Sequence, residues 1–250
     1  MLQEKRLDIF LEVLYITRYL TAAYWGANWL NNMRLLFSGG FMPENAVFIF
    51  DGPNFYKNIK RVGLNRKDLD FRKLAFNLSQ GRNIVDVIYF TSPIDRRTDP
   101  TNYANQQKFF VKLHSSQVTL KLGNLVNRAI RCPAPACGAE PAVCDSCKKT
   151  LIVKTEKSVD VQIAMEMVLG CINNTFDCLY LASCDSDLVP AINFIKNQGK
   201  KVFLLLPANN GTLAKGHAVS KACNVTIPID QPKIDAAQYS VMSSAMLYHC

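Results

Sequence analysis

The chain has 250 residues, of which 49% are hydrophobic and 20% are charged; this excludes an intrinsically disordered protein and favours a globular domain with a sizeable core. Its formal net charge of +9 favours anionic partners such as nucleic acid, although a merely basic globular protein would show the same balance. The nine cysteines are odd in number and four of them are clustered, unlike a secreted disulfide framework, so we expect a reducing, cytoplasmic location.

The first 41 residues differ from the rest because they are rich in aromatic residues and leucine. Asp8, Glu12 and Arg18 interrupt the apolar runs, so no membrane-spanning helix is predicted there. The segment also lacks the basic start, uninterrupted apolar centre and small cleavage-site residues of a secretory signal. We expect residues 1–41 either to form a helical N-terminal extension or to precede a natural start at Met42.

From Ala46 onward, short apolar runs alternate with longer amphipathic ones. Strands are predicted at residues 46–50, 84–91, 117–123, 177–183, 201–207 and 224–229. Helices are predicted at residues 70–80, 101–116, 158–173 and 186–199, with a short one within 211–222. The strand runs are mostly apolar throughout rather than alternating, which is typical of a parallel sheet covered on both faces by helices. We therefore predict a doubly wound α/β, Rossmann-like three-layer domain over residues 42–232, followed by a tail at 233–250.

Two of these helices carry more specific predictions. The helix at 101–116 follows Pro100 and is expected to be capped by Thr101 or Asn102. The helix at 158–173 is expected to turn one apolar face towards the core, made of Val161, Ala164, Met165, Val168 and Leu169.

Carboxylates stand where ligands usually bind in such a fold, beyond the carboxyl ends of the strands. Asp51 ends the first strand, Asp185 and Asp187 follow the fourth, and Asp160 lies near the start of the helix before it. Carboxylates that share a site ionise at low cost only beside a cation. Hard oxygen ligands suit Mg²⁺ or Mn²⁺, which can activate water against a phosphodiester. The sequence therefore predicts a divalent-metal site at this edge.

Each of these residues also has an ordinary structural interpretation. Asp51 and Gly52 are a common turn pair, Ser183 or Asp185 can cap a helix, and a carboxylate such as Asp160 favours a helix start. Asn54 fits both views, as a helix cap or as a group that orients a carboxylate or water. Their coincidence at one edge favours the site. The chain contains neither a Walker-type phosphate loop, nor a dinucleotide fingerprint, nor a nucleophile elbow.

Three ordered stretches, FIFDGPNFY, EKSVDVQIAMEM and LASCDSDLVPAINFIKNQGKKVFLL, resemble the NYN domain, and within it the LabA-like group of the PIN-like nuclease superfamily. The resemblance covers residues 44–230. It implies a parallel sheet, ribonuclease activity, and divalent-metal ligands at Asp51, Asp160 and Asp185. It also implies a fourth acidic member and two supporting polar groups, at Asp187, Asn54 and Ser183. The chain departs from the family's usual Ser-Gly-Asp-Ser-Asp because Cys184 replaces the glycine.

A cysteine-rich loop lies between the third strand and the helix that carries Asp160. Its two close cysteine pairs suit tetrahedral Zn²⁺: Cys132, Cys137, Cys144 and Cys147. Because the loop is poor in core residues, the metal would order it. A redox pair or four idle thiols remain alternatives. Similar cysteine pairs in relatives of the LabA-like group support a structural zinc knuckle.

Basic residues follow both the first acidic motif and the cysteine loop. Those expected to guide a phosphate backbone to the acidic site are Lys57, Lys60, Arg61, Lys154 and Lys157. The combined prediction is a metal-dependent endoribonuclease that acts on RNA. A non-catalytic RNA- or protein-binding module of the same fold is the main alternative, and a phosphatase or phosphotransferase acting on a small substrate is a weaker one. The sequence leaves a homo-oligomer open.

Overall fold

The computed structural model describes residues 43–129, 143, 146, 148–150 and 152–239. The predictions for the N-terminal extension, for the four loop cysteines and for the chain beyond Tyr239 lie outside the described residues.

Nine strands and seven α-helices are assigned in the described part of the chain. The strands are β1 Asn45–Asp51, β2 Asn83–Thr91, β3 Thr119–Leu122, β4 Asn124–Ala129, β5 Ile152–Lys157, β6 Cys178–Ala182, β7 Lys201–Asn209, β8 Thr212–Leu213 and β9 Val225–Ile229. The helices are α1 Gly52–Arg61, α2 Phe71–Leu78, α3 Pro100–Ser115, α4 Val159–Ile172, α5 Val189–Asn197, α6 His217–Ala222 and α7 Gln231–Asp235. A 3₁₀ turn, Ser186–Leu188, precedes α5.

The central sheet has parallel strands in the order β3-β2-β1-β6-β7-β9, and β8 pairs antiparallel with β7. This confirms the predicted mixed α/β fold with a mostly parallel sheet. The physical reason lies in strands such as β1, where the six residues 46–51 are all buried. A strand that is buried on both faces must be covered on both sides by helices.

Two apolar cores cover the two faces of the sheet. On one face, Phe50 of β1 makes edge-to-face contacts with Phe55 of α1 and Phe71 of α2. On the other, Ile49 packs in a core with Ile163 of α4 and residues of α5. Since neighbouring side chains of a strand point to opposite faces, Asp51 lies on the face of Ile49 and α4.

The predicted core face of α4 is only partly right, because Ala164 and Val168 pack against the core but the fully buried residues are others. Its buried side chains follow an i, i+4 spacing: Val159, Ile163, Met167 and Cys171. Val161, Met165 and Leu169, which were expected inside, are 66%, 50% and 48% exposed. The helix is apolar on both sides, so periodicity alone did not identify the side that docks.

Other parts of the structure also differ from the sequence predictions, among them helix α1, Gly52–Arg61, which was not predicted. The α3 helix is capped by Asp99, whose side chain accepts a hydrogen bond from the backbone N–H of Asn102. Strands β4 and β5 form an antiparallel hairpin that was not predicted, and it brackets the cysteine loop. The core also continues past residue 232, where the sequence placed the start of a tail, because Ile234 and Ala237 are fully buried.

Within the described residues, no helix combines the length and apolarity needed to cross a membrane.

Candidate active site

Asp51 is delivered to the edge of the sheet by β1 and caps the helix that follows. Its side chain is 3% exposed, and its Oδ1 accepts a hydrogen bond of 3.2 Å from the backbone N–H of Asn54. Gly52 is required beside it because a Cβ at this position would lie 2.5 Å from the Tyr89 ring. Asp51 and Gly52 thus lie at the end of a strand that packs against the Tyr89 ring. A turn on the open surface would not require a glycine for this reason.

The second group of polar residues follows β6, the neighbouring strand. Phe50 of β1 lies beside Ala182 of β6 in the parallel register, so the next residues, Asp51 and Ser183, come together. The Ser183 hydroxyl donates to Asp51 Oδ2 at 2.7 Å and accepts from the backbone N–H of Asp185 at 3.2 Å. The backbone N–H of Asp187 in turn donates to Asp185 Oδ1 at 2.9 Å.

Asn54 joins these two strand ends. Its side-chain oxygen accepts hydrogen bonds from the backbone N–H of Cys184, at 3.0 Å, and from Asn58 Nδ2, at 2.7 Å. Asn58 is buried one helical turn further on and was not identified from the sequence. Asn54 therefore holds the backbone after β6, whereas the sequence predicted that it orients a carboxylate or a water. Its side chain does not cap α1.

Asp160 reaches the site from the first turn of α4. Gly123, just after β3, permits this approach because a Cβ there would lie 2.5 Å from Val159 Cγ2. Ser158 turns the chain into the helix with a left-handed φ of 75°. Asp160 itself is exposed, in contrast to Asp51.

The carboxylates influence one another electrostatically. Burial raises the pKa of Asp51 to about 6; hydrogen bonds from Ser183 and Asn54 oppose the rise, and the charges of Asp160 and Asp185 add to it. Burial also raises the pKa of Asp160, and the charges of Asp185 and Asp187 add to that rise. The four predicted acidic residues therefore form one electrostatic cluster, called the acidic cluster below.

The donor set of the acidic cluster suits a hard divalent cation, but the residues do not form a closed cage. Within the described residues, no three His, Cys, Asp or Glu side chains stand close enough together to enclose one metal ion. Each Asp51 oxygen already accepts one hydrogen bond but retains a second lone pair. Mg²⁺ is usually held by one or two carboxylates and several waters, and such an open arrangement fits this cluster.

Cys184, which replaces the glycine of the family pattern, finds room on the far side of the loop. A Cβ at Gly216 would lie 2.9 Å from the Cys184 sulfur, so a glycine there makes space for the thiol. Burial and the charge of Asp51 raise the pKa of this thiol to about 11, while Arg61 lowers it. The thiol is therefore protonated at neutral pH and adds no charge to the acidic cluster.

Of the basic residues predicted to bind RNA, Lys57, Lys60 and Arg61 project from α1, and all three are exposed. Arg61 is near enough to the site for its charge to act on Cys184. Lys157 is exposed at the end of β5, directly before α4, while Lys154 belongs to the same strand. The cysteines of the predicted zinc site, Cys132, Cys137, Cys144 and Cys147, lie outside the described residues.

Comparison with known proteins identifies the family. The NYN domain matches residues 45–230 of the chain. A solved structure described as a protein of unknown function from Vibrio parahaemolyticus is similar, with a TM-score of 0.53 and 16% sequence identity over 80% of this chain and 99% of that one. At this identity the likeness concerns the fold alone. No match was found among curated proteins. The chain belongs to the NYN domain family, which is part of the PIN-like nuclease superfamily.

Proposed function

We propose that this protein is a metal-dependent endoribonuclease of the LabA-like group, which hydrolyses phosphodiester bonds of RNA with Mg²⁺ or Mn²⁺. One observation carries the proposal: carboxylates from three separate elements are electrostatically coupled around the buried side chain of Asp51. Keeping such a carboxylate buried beside like charges is costly unless a cation binds there. Membership of a nuclease superfamily supports the same conclusion.

In this proposal Asp51, Asp160 and Asp185 would hold the cation, one or two of them directly and the rest through bound water. When bound, the cation would neutralise charge on the scissile phosphate and lower the pKa of a water molecule. Asp187, which is exposed, would accept a hydrogen bond from the attacking water and so orient it. Lys57, Lys60, Arg61, Lys154 and Lys157 attract the phosphate backbone towards this edge.

Ser183 and Asn54 act as positioning residues. Ser183 ties Asp51 to the backbone of Asp185, and Asn54 ties α1 to the backbone of Cys184. Loss of either hydrogen-bonded link frees a carboxylate-bearing segment to move. Small displacements of this kind cost large factors in rate, because the reacting groups must stay aligned.

A structural zinc knuckle on the β4–β5 hairpin completes the proposal. The hairpin brings the two ends of the cysteine loop side by side, with Ala129 paired to Ile152. A metal content of one Zn²⁺ per chain, lost when Cys144 and Cys147 are both replaced by serine, would support the knuckle. The four cysteines that are described as free thiols, Cys171, Cys178, Cys184 and Cys223, suit a reducing, cytoplasmic location.

The second candidate is a non-catalytic RNA- or protein-binding module. It is favoured by the open geometry of the acidic cluster, in which no three described ligands enclose a metal. Against it stands the presence of several carboxylates where a phosphate backbone would bind, since they repel it without a cation.

The deciding experiment measures cleavage of single-stranded RNA by the full chain in Mn²⁺, Mg²⁺ or chelator. We expect metal-dependent cleavage, and a fall of at least about 100-fold in the Asp185→Asn protein, because the variant loses a ligand of the cation that would neutralise charge on the scissile phosphate. Asp235→Asn on α7 is the matched control, as it removes an exposed carboxylate that does not belong to the acidic cluster.

Cleavage at equal rates by the wild type and Asp185→Asn would refute the proposed site. RNA binding without cleavage in any metal would favour the binding module.

A further inference from the structure

A second feature, a cleft of about 550 Å³, opens on the sheet face opposite to that of α4, between the loop before α2, the middle of α3 and the end of the described chain. We call it the basic cleft, and its lining includes Arg66, Lys67, Asp68, Phe109, Lys108, Lys112 and Tyr239. Its volume is within the range of about 300–1,000 Å³ that holds ligand-sized groups. No role for it follows from the acidic cluster alone.

The basic cleft carries a surplus of positive charge. Asp68 is its one described carboxylate, and it is paired with Lys112 at 2.7 Å. Among the described residues, no carboxylate forms an ion pair with Arg66, Lys67 or Lys108. Three cationic side chains therefore remain available to an anionic ligand, and each attracts a phosphate group.

Aromatic side chains lie among these cations. Phe109 is half-buried in edge-to-face contact with Tyr89 and Phe71, which keeps its ring fixed. Tyr239 is held by hydrogen bonds from its backbone N–H to Asp68 O, at 2.9 Å, and from its hydroxyl to Lys112 O, at 3.1 Å. Fixed rings beside cations form the combination that binds unpaired bases together with their phosphates.

Arg66, Tyr56 and Tyr89 connect the basic cleft with the edge that bears Asp51. Arg66 lies over the ring of Tyr56 in α1, 4.1 Å from its centroid. Burial strongly raises the pKa of the Tyr89 hydroxyl, and the charge of Asp51 raises it further. The charge of Arg66 lowers the same pKa, so Arg66 lies close enough to act on this hydroxyl. The same hydroxyl packs against Gly52, the residue after Asp51. An RNA strand that leaves the acidic cluster and passes α1 would therefore reach Arg66 and enter the basic cleft.

We propose that the basic cleft binds the single-stranded RNA segment adjacent to the scissile phosphate, with phosphates on Arg66, Lys67 and Lys108 and a base against Phe109 or Tyr239. The inference rests on the proposed function, since it names the part of the substrate that lies beside the cut. Single-stranded RNA is favoured over a duplex because only unpaired bases are free to stack on the rings.

The test measures binding of a fluorescein-labelled 12-nucleotide single-stranded RNA to the full chain in chelator, so that cleavage is not required. Lys67→Gln/Lys108→Gln is expected to weaken binding about 5- to 20-fold and to reduce the slope of log K against log salt by about 1.4, or about 0.7 for each lost phosphate contact. Lys221→Gln on α6 is the control, because this exposed lysine lies on a helix of the other face.

Equal binding by the double variant and Lys221→Gln would overturn the basic cleft even if cleavage were observed. Cleft-dependent binding without cleavage would support the cleft and refute the nuclease. Photo-cross-links from 4-thiouridine RNA are expected at Phe109 or Tyr239, and cross-links confined to other regions would overturn the proposal. Displacement of the RNA by polyglutamate as effectively as by unlabelled RNA would also overturn it, in favour of an acidic protein partner.

Discussion

The acidic cluster and the basic cleft lie on either side of Tyr89, and they are assembled in different ways. The cluster stands on strand ends that are fixed by hydrogen bonds between Asp51, Ser183 and Asn54. The cleft is formed by a loop, the middle of a helix and the last described residue. Rigid elements suit a reaction that requires fixed geometry. A flexible single strand of RNA requires only positive charge and aromatic surfaces for its binding.

The largest expected effect is a pH-dependent fall in the free energy of unfolding that is caused by the acidic cluster. Asp51 has a folded pKa of about 6, above its ordinary 3.8, so the folded state binds the proton more tightly than the unfolded state. The free energy of unfolding should therefore fall as pH rises from about 4 to about 6, by up to about 3 kcal/mol from this group.

In Asp51→Asn this decline should vanish, making the metal-free variant more stable than the wild type at pH 7. Urea unfolding in chelator at several pH values measures it, and the titrating groups that do not interact with Asp51 cancel in the difference. Parallel pH curves for the two proteins would show that Asp51 does not titrate as described.

A change to the wall between the two regions should be next in size. Gly52→Ala places a Cβ about 2.5 Å from Tyr89, so the ring or the helix start must shift. Overpacking of this kind costs about 1–3 kcal/mol. Thermal unfolding measures the loss, with Pro53→Ala, an exposed neighbouring change, as control. Since Tyr89 also contacts Phe109, RNA binding should weaken together with cleavage; a loss of cleavage alone would separate the two regions.

The smallest expected effect distinguishes the two regions because removal of a carboxylate is harmful in one and favourable in the other. Removing a carboxylate from the acidic cluster is expected to abolish cleavage, but Asp68→Asn in the basic cleft should tighten RNA binding about 2- to 3-fold. The variant removes the one described negative charge of the cleft and releases Lys112 for a phosphate. Asparagine also tolerates the left-handed φ of 56° at this position. Weaker binding of labelled RNA by Asp68→Asn would mean that the Lys112 pair holds the cleft open.

The main features of the acidic cluster could be predicted because its signals are local. Apolar runs that end on polar residues identify parallel strands and the edge at which they converge. The sequence did not indicate that Asn54 holds the backbone of Cys184, nor that Gly123 admits the first turn of α4. Both facts concern pairs of segments that are distant in the chain, and no single stretch records them.

By itself the sequence determined which segments form buried strands, the mostly parallel α/β fold and the carboxylates that follow its strands. These features depend on hydrophobic periodicity and turn residues, which act over a few positions. Only the tertiary structure decided which side of α4 is buried, since that helix is apolar on both sides and docking selects one. Only the tertiary structure brought Arg66, Lys108 and Tyr239 into one cleft, because these residues are far apart in the chain and meet only when α3 and the end of the chain pack together.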